Sequence, residues 1–233
     1  LDMRFCGSVD AIRALNEGRC LIAGFHAPLH PPSDSLSALT FRPLLQPGRH
    51  KLIGFADRSQ GLMVPRGNPL ALDSLVAVAR HRARLALRDK GSGTRLLFDA
   101  MSQQAGLSGA EFVLTPQEEP SHLACAAAVA GGFADVALGI ASAAASQGLD
   151  FVPLQNERYY LVCLKSAVES PAVLALRQLL QTSAWRQSLE QLPGYQAGQA
   201  GQVQSLRAEL PWWRLRPKKG HANRGSAPAR DKP

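Results

Sequence analysis

The sharpest chemical signal in the chain is the run Gly91-Ser92-Gly93-Thr94-Arg95. It follows an alternating, strand-like stretch at residues 84–88 and opens a helical stripe at residues 94–105. A strand–glycine turn–helix junction aims unpaired backbone N–H groups at one point, and the helix dipole adds positive potential there. Ser92 and Thr94 contribute hydroxyl donors, and Arg95 contributes a planar cationic fork. Together they make the donor-rich cradle that an oxyanion requires. The same residues also make an ordinary turn in which Ser or Thr caps a helix, and local sequence leaves both readings open. The run is not a Walker loop, because no Gly-Lys-Ser/Thr stands at the required spacing.

Cys6-Gly7-Ser8 forms a second such junction, ahead of a short helix at Val9 to Asn16. It gains weight if both junctions face one cleft. The polar quartet Arg58-Ser59-Gln60-Gly61 lies between two strand candidates and reads either as a hinge lining a cleft or as a solvated loop. His26 ends a buried strand and His122 begins an Ala-rich helix; neither has metal-ligand spacing. No Gly-x-Ser-x-Gly elbow is present. Ser92, His122 and Asp135 form only a nominal triad, and Asp135 fits a cap or turn at a strand start. The expectation is a binding domain with no catalytic residues, no metal and no cofactor.

The elements that must position these residues alternate. Buried strands are expected at Cys20–Phe25, Lys51–Ala56, Gly61–Pro65, Arg84–Arg88, Asp135–Ile140, Leu149–Leu154 and Tyr159–Leu164. Helices are expected at Thr94–Ala105 and Ser121–Ala130, at a segment capped by Ser170-Pro171, and at a short one after Ser183 that ends at Pro193-Gly194. Such alternation implies an α/β architecture with mostly parallel sheets. Pro28 to Pro47, rich in Pro, Ser and His, reads as a long surface loop. From Ala197 the pattern dissolves, although Trp212-Trp213 could dock, and Arg214 to Pro233 reads as disordered.

The formal charge of +8 is unevenly spread: Leu206 to Pro233 holds eight basic residues against two acids. The body is therefore nearly neutral and the tail basic, which argues against a nucleic-acid-binding core. No stretch approaches the ~18 apolar residues of a membrane span, and no signal peptide is visible at Leu1-Asp2-Met3-Arg4. The start without Met reads as a fragment or a processed chain. Four cysteines with no CxxC pair give no disulfide framework, and Cys125 and Cys163 read as buried thiols.

The sequence resembles the periplasmic-binding-protein-like domain that often follows a helix-turn-helix domain in bacterial one-component regulators and is sometimes joined to molybdopterin-biosynthesis domains. The matching segments begin with Cys6-Gly7-Ser8, Ile22-Ala23-Gly24-Phe25-His26, Arg58-Ser59-Gln60-Gly61-Leu62, Pro65-Arg66-Gly67-Asn68-Pro69 and the Gly91–Arg95 run. They continue with Ser121-His122-Leu123-Ala124, Gly132 to Ile140, Leu149 to Leu154 and Glu157-Arg158-Tyr159. Their order and spacing agree from about residue 5 to 196. Two departures stand out: no match is found for the strand and helix that usually precede the first segment, so the start reads either as a truncated chain or as a trimmed first lobe, and Ala27-Pro28-Leu29-His30 replaces the family's aliphatic residue and Asp.

The resemblance implies a two-lobed type II periplasmic-binding-protein-like fold with a ligand cleft between the lobes. One lobe would hold residues 1–57 and 156–196, the other residues 58–155, with 197–233 as a basic tail. It implies a sensing domain for a small anion or metabolite, molybdate- or tungstate-like, in a cytoplasmic transcriptional regulator. Ser8, His26, Arg58, Gln60, Ser92, Gly93, Thr94, Arg95, His122 and Tyr159 would line the cleft. DNA would be reached only through a separate domain, and a homodimer is allowed. The alternatives are the solute-binding component of an ABC-type anion transporter and a non-catalytic module of a molybdenum-cofactor biosynthesis protein.

Overall fold

The computed structural model describes residues 2–29 and 31–213. In chain order the elements are α1 (Ser8–Asn16), β1 (Ile22–Pro28), α2 (Leu36–Phe41), β2 (His50–Val64), α3 (Leu75–Arg80) and β3 (Arg84–Ala86). Next come α4 (Gly93–Gln104), β4 (Val113–Leu114), α5 (His122–Ala130), β5 (Val136–Ile140), α6 (Ala141–Ser146) and β6 (Asp150–Leu164). The chain continues with α7 (Pro171–Gln181), α8 (Ser183–Glu190), β7 (Tyr195–Gln196), β8 (Val203–Ser205) and α9 (Leu206–Glu209). Side-chain caps start many of the helices. The hydroxyls of Ser35, Ser74, Ser92, Ser121, Thr182 and Ser205 each accept a hydrogen bond from the backbone N–H three residues on. Ser170 occupies the expected cap position before Pro171, but its hydroxyl makes no cap bond.

Two 15-residue strands organise the fold. β2 and β6 pair antiparallel from His50↔Leu164 to Val64↔Asp150, with register shifts at Gly54/Ala56 and Gln60/Gly61. β1 lies on the other edge of β6, from Ile22↔Cys163 to Pro28↔Glu157. The free edge of β2 is shared in turn by β8 at residues 51–53, β7 at 57–58 and β5 at 60–63. Beyond β5 the sheet continues through β3 to β4. Among the strands described, parallel ladders are confined to β3 with β5 and with β4, beside three isolated parallel bridges. The expectation of mostly parallel sheets is therefore corrected: the crossing strands and every strand laddered to them run antiparallel.

The polar quartet at residues 58–61 also differs from its reading as a break between two strands. It lies inside β2, and residues 155–158 lie likewise inside β6. Polar side chains are tolerated in mid-strand here because they bond one another across the pair.

The apolar residues segregate on either side of this polar stretch. Ile12, Leu15, Phe25, Phe41, Leu52, Tyr160 and Trp212 share one core, and Ile53, Cys163, Val173 and Leu180 another. Leu62, Leu72, Leu85, Phe98 and Leu138 build a third, and Met63, Cys125, Val129 and Ala137 a fourth. In β1 the alternation puts Ala23, Phe25 and Ala27 into the first core and His26 on the opposite face. Cys125 and Cys163 are buried as expected.

Two loop readings fail for one reason, namely that isolated apolar residues found partners distant in sequence. Residues 28–47 contain α2, whose Phe41 meets Phe25 at a tilt and stacks on Trp212. Residues 203–209 form β8 and α9 instead of a solvated tail, and Leu206, Leu210 and Trp212 are buried in the first core. The disorder expected for residues 214–233 lies outside the described residues. Trp212 is 2 % exposed, so Trp212→Ala is expected to cost about 3–5 kcal/mol of unfolding free energy. Urea denaturation measures it; a loss below about 1 kcal/mol would mean that Trp212 does not belong to that core.

Candidate functional site

The site is built on the middle of β2 and β6. Register places Asp57 opposite Arg158 and Arg58 opposite Glu157. Because side chains alternate faces, the two ion pairs lie on opposite sides of the sheet. On one side Arg158 donates to Asp57, at 2.5 and 2.9 Å, and to Glu209 at 3.0 Å. On the other side Arg58 Nε donates to Glu157 Oε1 at 2.6 Å, and Gln60 Nε2 donates to Glu157 Oε2 at 2.8 Å. Arg58 Nη1 reaches the hydroxyl of Tyr195 at 3.2 Å, and its guanidinium lies 5.9 Å from the centre of the Tyr159 ring. Burial alone would push the Glu157 carboxyl up, but Arg58, with His26 and Gln60, holds it below its ordinary value.

His26 joins this face from β1, where it pairs with Tyr159 at a ring separation of 5.3 Å. Burial lowers its pKa to about 4, with Glu157 opposing the shift and Arg58 and Arg88 reinforcing it. His122, in the first turn of α5, is lowered well below its ordinary value by burial and then by Arg58, Arg88 and His26. Both rings are therefore neutral at pH 7.

The helix junctions close over this face. Ser92 caps α4 by accepting from the Arg95 N–H at 3.2 Å, so the ordinary-turn reading holds for that oxygen; the Ser92 O–H remains able to donate. Thr94 is 1 % exposed, and its Oγ1 lies 3.4 Å from His122 Nε2. A β-carbon on Gly93 would collide with His26 Nε2, so glycine is what lets α4 approach β1. A β-carbon on Gly7 would lie 3.2 Å from the carbonyl oxygen of Gly91, so the two Gly-Ser junctions face each other. Ser8 is the buried first residue of α1, whose N-terminus has no side-chain cap. The N-termini of α1, α4 and α5 thus converge on one place, and their dipoles add there.

The structure brings together Ser8, His26, Arg58, Gln60, Ser92, Gly93, Thr94, His122 and Tyr159. Arg95 does not join them. Its guanidinium is held on the flank of α4 by Asp99 at 3.2 Å and Glu118 at 3.0 Å, because a side chain at the third helical position turns away from the axis along which the N–H groups point. The nominal triad is not assembled, since Asp135 binds Arg84 at 2.7 Å and His122 meets Thr94 rather than Ser92. Sequence reasoning missed Glu157, Tyr195 and Arg88. The first had a signal: Asp57-Arg58 and Glu157-Arg158 are complementary when read antiparallel, as cross-strand charge pairing requires. Two cavities, of about 460 Å³ beside Arg49, Leu164, Lys165 and Ser166 and about 240 Å³ beside Arg95, Phe98 and Phe112, lie outside the site.

Two bodies joined by long crossing strands, with helix N-termini meeting at their junction, define a two-lobed ligand-binding domain of the periplasmic-binding-protein type. The chain belongs to the PBP-like family, since residues 1–181 match the PBP superfamily domain. It is 28 % identical over 200 residues to the uncharacterized protein YvgK of Bacillus subtilis (strain 168), covering 86 % of this chain and 64 % of that relative. The chain thus spans under two thirds of that relative's length. A structure described as a phosphate ABC transporter substrate-binding protein with bound phosphate, from Clostridium perfringens, superposes with a TM-score of 0.58. It is 14 % identical, and the match covers 82 % of this chain and 84 % of that one. The regulatory domain of Synechocystis PCC6803 CcmR in complex with 2-PG gives a TM-score of 0.52 at 18 % identity, over 70 % and 73 % of the two chains. At these identities the structures share the fold. Among the described residues no helix is long and apolar enough to cross a membrane.

A histidine whose folded pKa lies below its unfolded value takes up protons more readily when unfolded, so it supports the fold above the unfolded pKa. That support is lost as pH falls from about 6.5 through about 4 for His26. His26→Gln is expected to flatten the fall in Tm across this window. A variant whose Tm falls as steeply as the parent's would show that His26 is not held neutral.

Proposed function

We propose that this chain is the ligand-sensing domain of a bacterial transcriptional regulator and that it holds a small oxyanion between its lobes. The lobes would be residues 1–57 with 156–196, extended by β8 and α9, and residues 58–155. The observation that carries the reading is the meeting of two Gly-Ser helix junctions, at Gly7-Ser8 and Ser92-Gly93-Thr94, above a buried polar cluster. Backbone N–H groups at helix starts, with the hydroxyls of Ser8, Ser92 and Thr94, supply donors without a fixed charge. Those three residues are buried, so an anion reaches them only when the lobes part. The hinge would be the β2/β6 crossing, and the ligand would act by favouring the closed arrangement.

The candidates are molybdate and tungstate, which the family resemblance supplies, with phosphate, sulfate and a small carboxylate beside them. The chain would bind its ligand without turning it over, and DNA contact would belong to another domain. The regulator reading carries a cytoplasmic location. The transporter reading draws support from the superposition on the phosphate-binding protein. A helix-turn-helix encoded upstream supports the regulator, and a signal sequence supports the transporter.

A thermal-shift panel of these anions tests the oxyanion reading. The right anion at about 100 times its Kd is expected to stabilise the fold by ~2.7 kcal/mol. Thr94→Val and Ser92→Ala are each expected to weaken binding about tenfold or more, the cost of one lost donor to a charged group. Full affinity in both variants would place the cradle elsewhere.

A further inference from the structure

Ten buried side-chain polar atoms lack a hydrogen-bond partner among the described residues, and four of them belong to this one site: His26 Nδ1, Arg58 Nη2, Gln60 Oε1 and His122 Nδ1. Unpartnered buried polar atoms are costly and scarce, so their concentration marks groups that wait for something to bond. Their chemistry restricts what that is. Arg58 Nη2 only donates. Gln60 is fully buried, and its Nε2 is committed to Glu157, which fixes the amide so that the oxygen is the atom left over. Gln60 Oε1 only accepts. Arg58, Gln60 and Glu157 share a face of the crossing, with both residues of β2 bonded to the same carboxylate. The site therefore asks for a ligand that accepts at one point and donates at another.

The local charge points the same way. The Arg58 cation is cancelled by Glu157 at 2.6 Å, and Arg88 lies 3.2 Å from Asp89. His26 and His122 are neutral. A fully ionised dianion would meet the Glu157 carboxylate and the Gln60 carbonyl with no surplus cation and no hydrogen to offer either.

We propose that the cleft selects oxyacids that retain an O–H beside the ionised oxygens, namely a hydrogenphosphate-type anion or a 2-hydroxycarboxylate, over fully deprotonated oxyanions such as sulfate and molybdate. Arg58 Nη2 and the helix N-termini hold the ionised oxygens, and the O–H donates to Gln60 Oε1. The proposal rests on the reading of this cleft as an oxyanion site and names the ligand class for it.

Calorimetric titration of the whole chain at pH 7 tests it with five probes: inorganic phosphate, sulfate, molybdate, glycolate and acetate. Phosphate is expected to bind at least about tenfold tighter than sulfate and molybdate, or glycolate at least about tenfold tighter than acetate, the penalty for leaving one buried acceptor bare. The first result identifies a phosphate-type ligand and the second a hydroxy acid. Sulfate or molybdate equal to or tighter than phosphate, with acetate equal to glycolate, overturns the selectivity while leaving the oxyanion site intact. Binding of none of the five removes the oxyanion reading and this inference together. In Gln60→Met, with its fold checked by circular dichroism, the preferred ratio is expected to fall toward one. An unchanged ratio in the folded variant overturns the role of Gln60. If the variant does not fold, the five-probe comparison on the parent chain decides alone.

Discussion

The structure depends on two opposed ion pairs at the middle of one strand pair. β2 and β6 are the long segments that run from one group of cores to the other, and at their centre they carry Asp57-Arg58 against Glu157-Arg158. Glu157 is buried and the Arg58 side chain is nearly so. An isolated charge there would cost several kcal/mol, so each has to be matched within the strand pair itself. The antiparallel register does this once on each face. A slip of one residue would turn every side chain to the opposite face and set Arg58 opposite Arg158. The register of the crossing is thus fixed by charge, where the strands on either side of it are fixed by apolar burial.

From that constraint the site follows. The Arg58–Glu157 face also receives His26 and Tyr159, because β1 pairs with β6 and the alternation of β1 commits Phe25 and Ala27 to the core behind. Polar residues are thereby collected at the middle of the strand pair, between the apolar cores on either side. The opposing wall is made of helix starts, and glycine at positions 7 and 93 sets how near they come. The arrangement is a nearly charge-balanced, donor-rich surface whose hydroxyls are buried. A surface of that kind fits the proposed cleft, in which hydrogen-bond geometry would count for more than net charge.

Much of this was legible in the sequence. Most helix positions followed from caps and apolar spacing, as at Ser92 and Ser121, and the strands from their apolar runs. The Gly-Ser junctions were visible as candidate anion cradles, and the family pattern joined them to His26, His122 and Tyr159. The errors share a cause. Residues 58–61 and 155–158 look like breaks because polar residues interrupt apolar runs, yet each segment is the other's partner across about 97 positions of sequence. α2, β8 and α9 were missed because Phe41 and Trp212 have no local periodicity and become core only by packing on each other and on residues distant in sequence. Arg95 was placed at the site on its position in a donor-rich run, and acids at positions 99 and 118 claimed it.

The sequence by itself determined most of the local elements, many of their caps, the near-neutral body and the presence of two Gly-Ser helix entrances. These are properties of neighbouring residues, set by backbone conformation, spacing and composition. Only the tertiary structure decided that the two entrances face each other, that Glu157 neutralises Arg58, and that Gln60 is left with a bare acceptor. Such outcomes depend on which distant groups meet and on what burial then costs each of them.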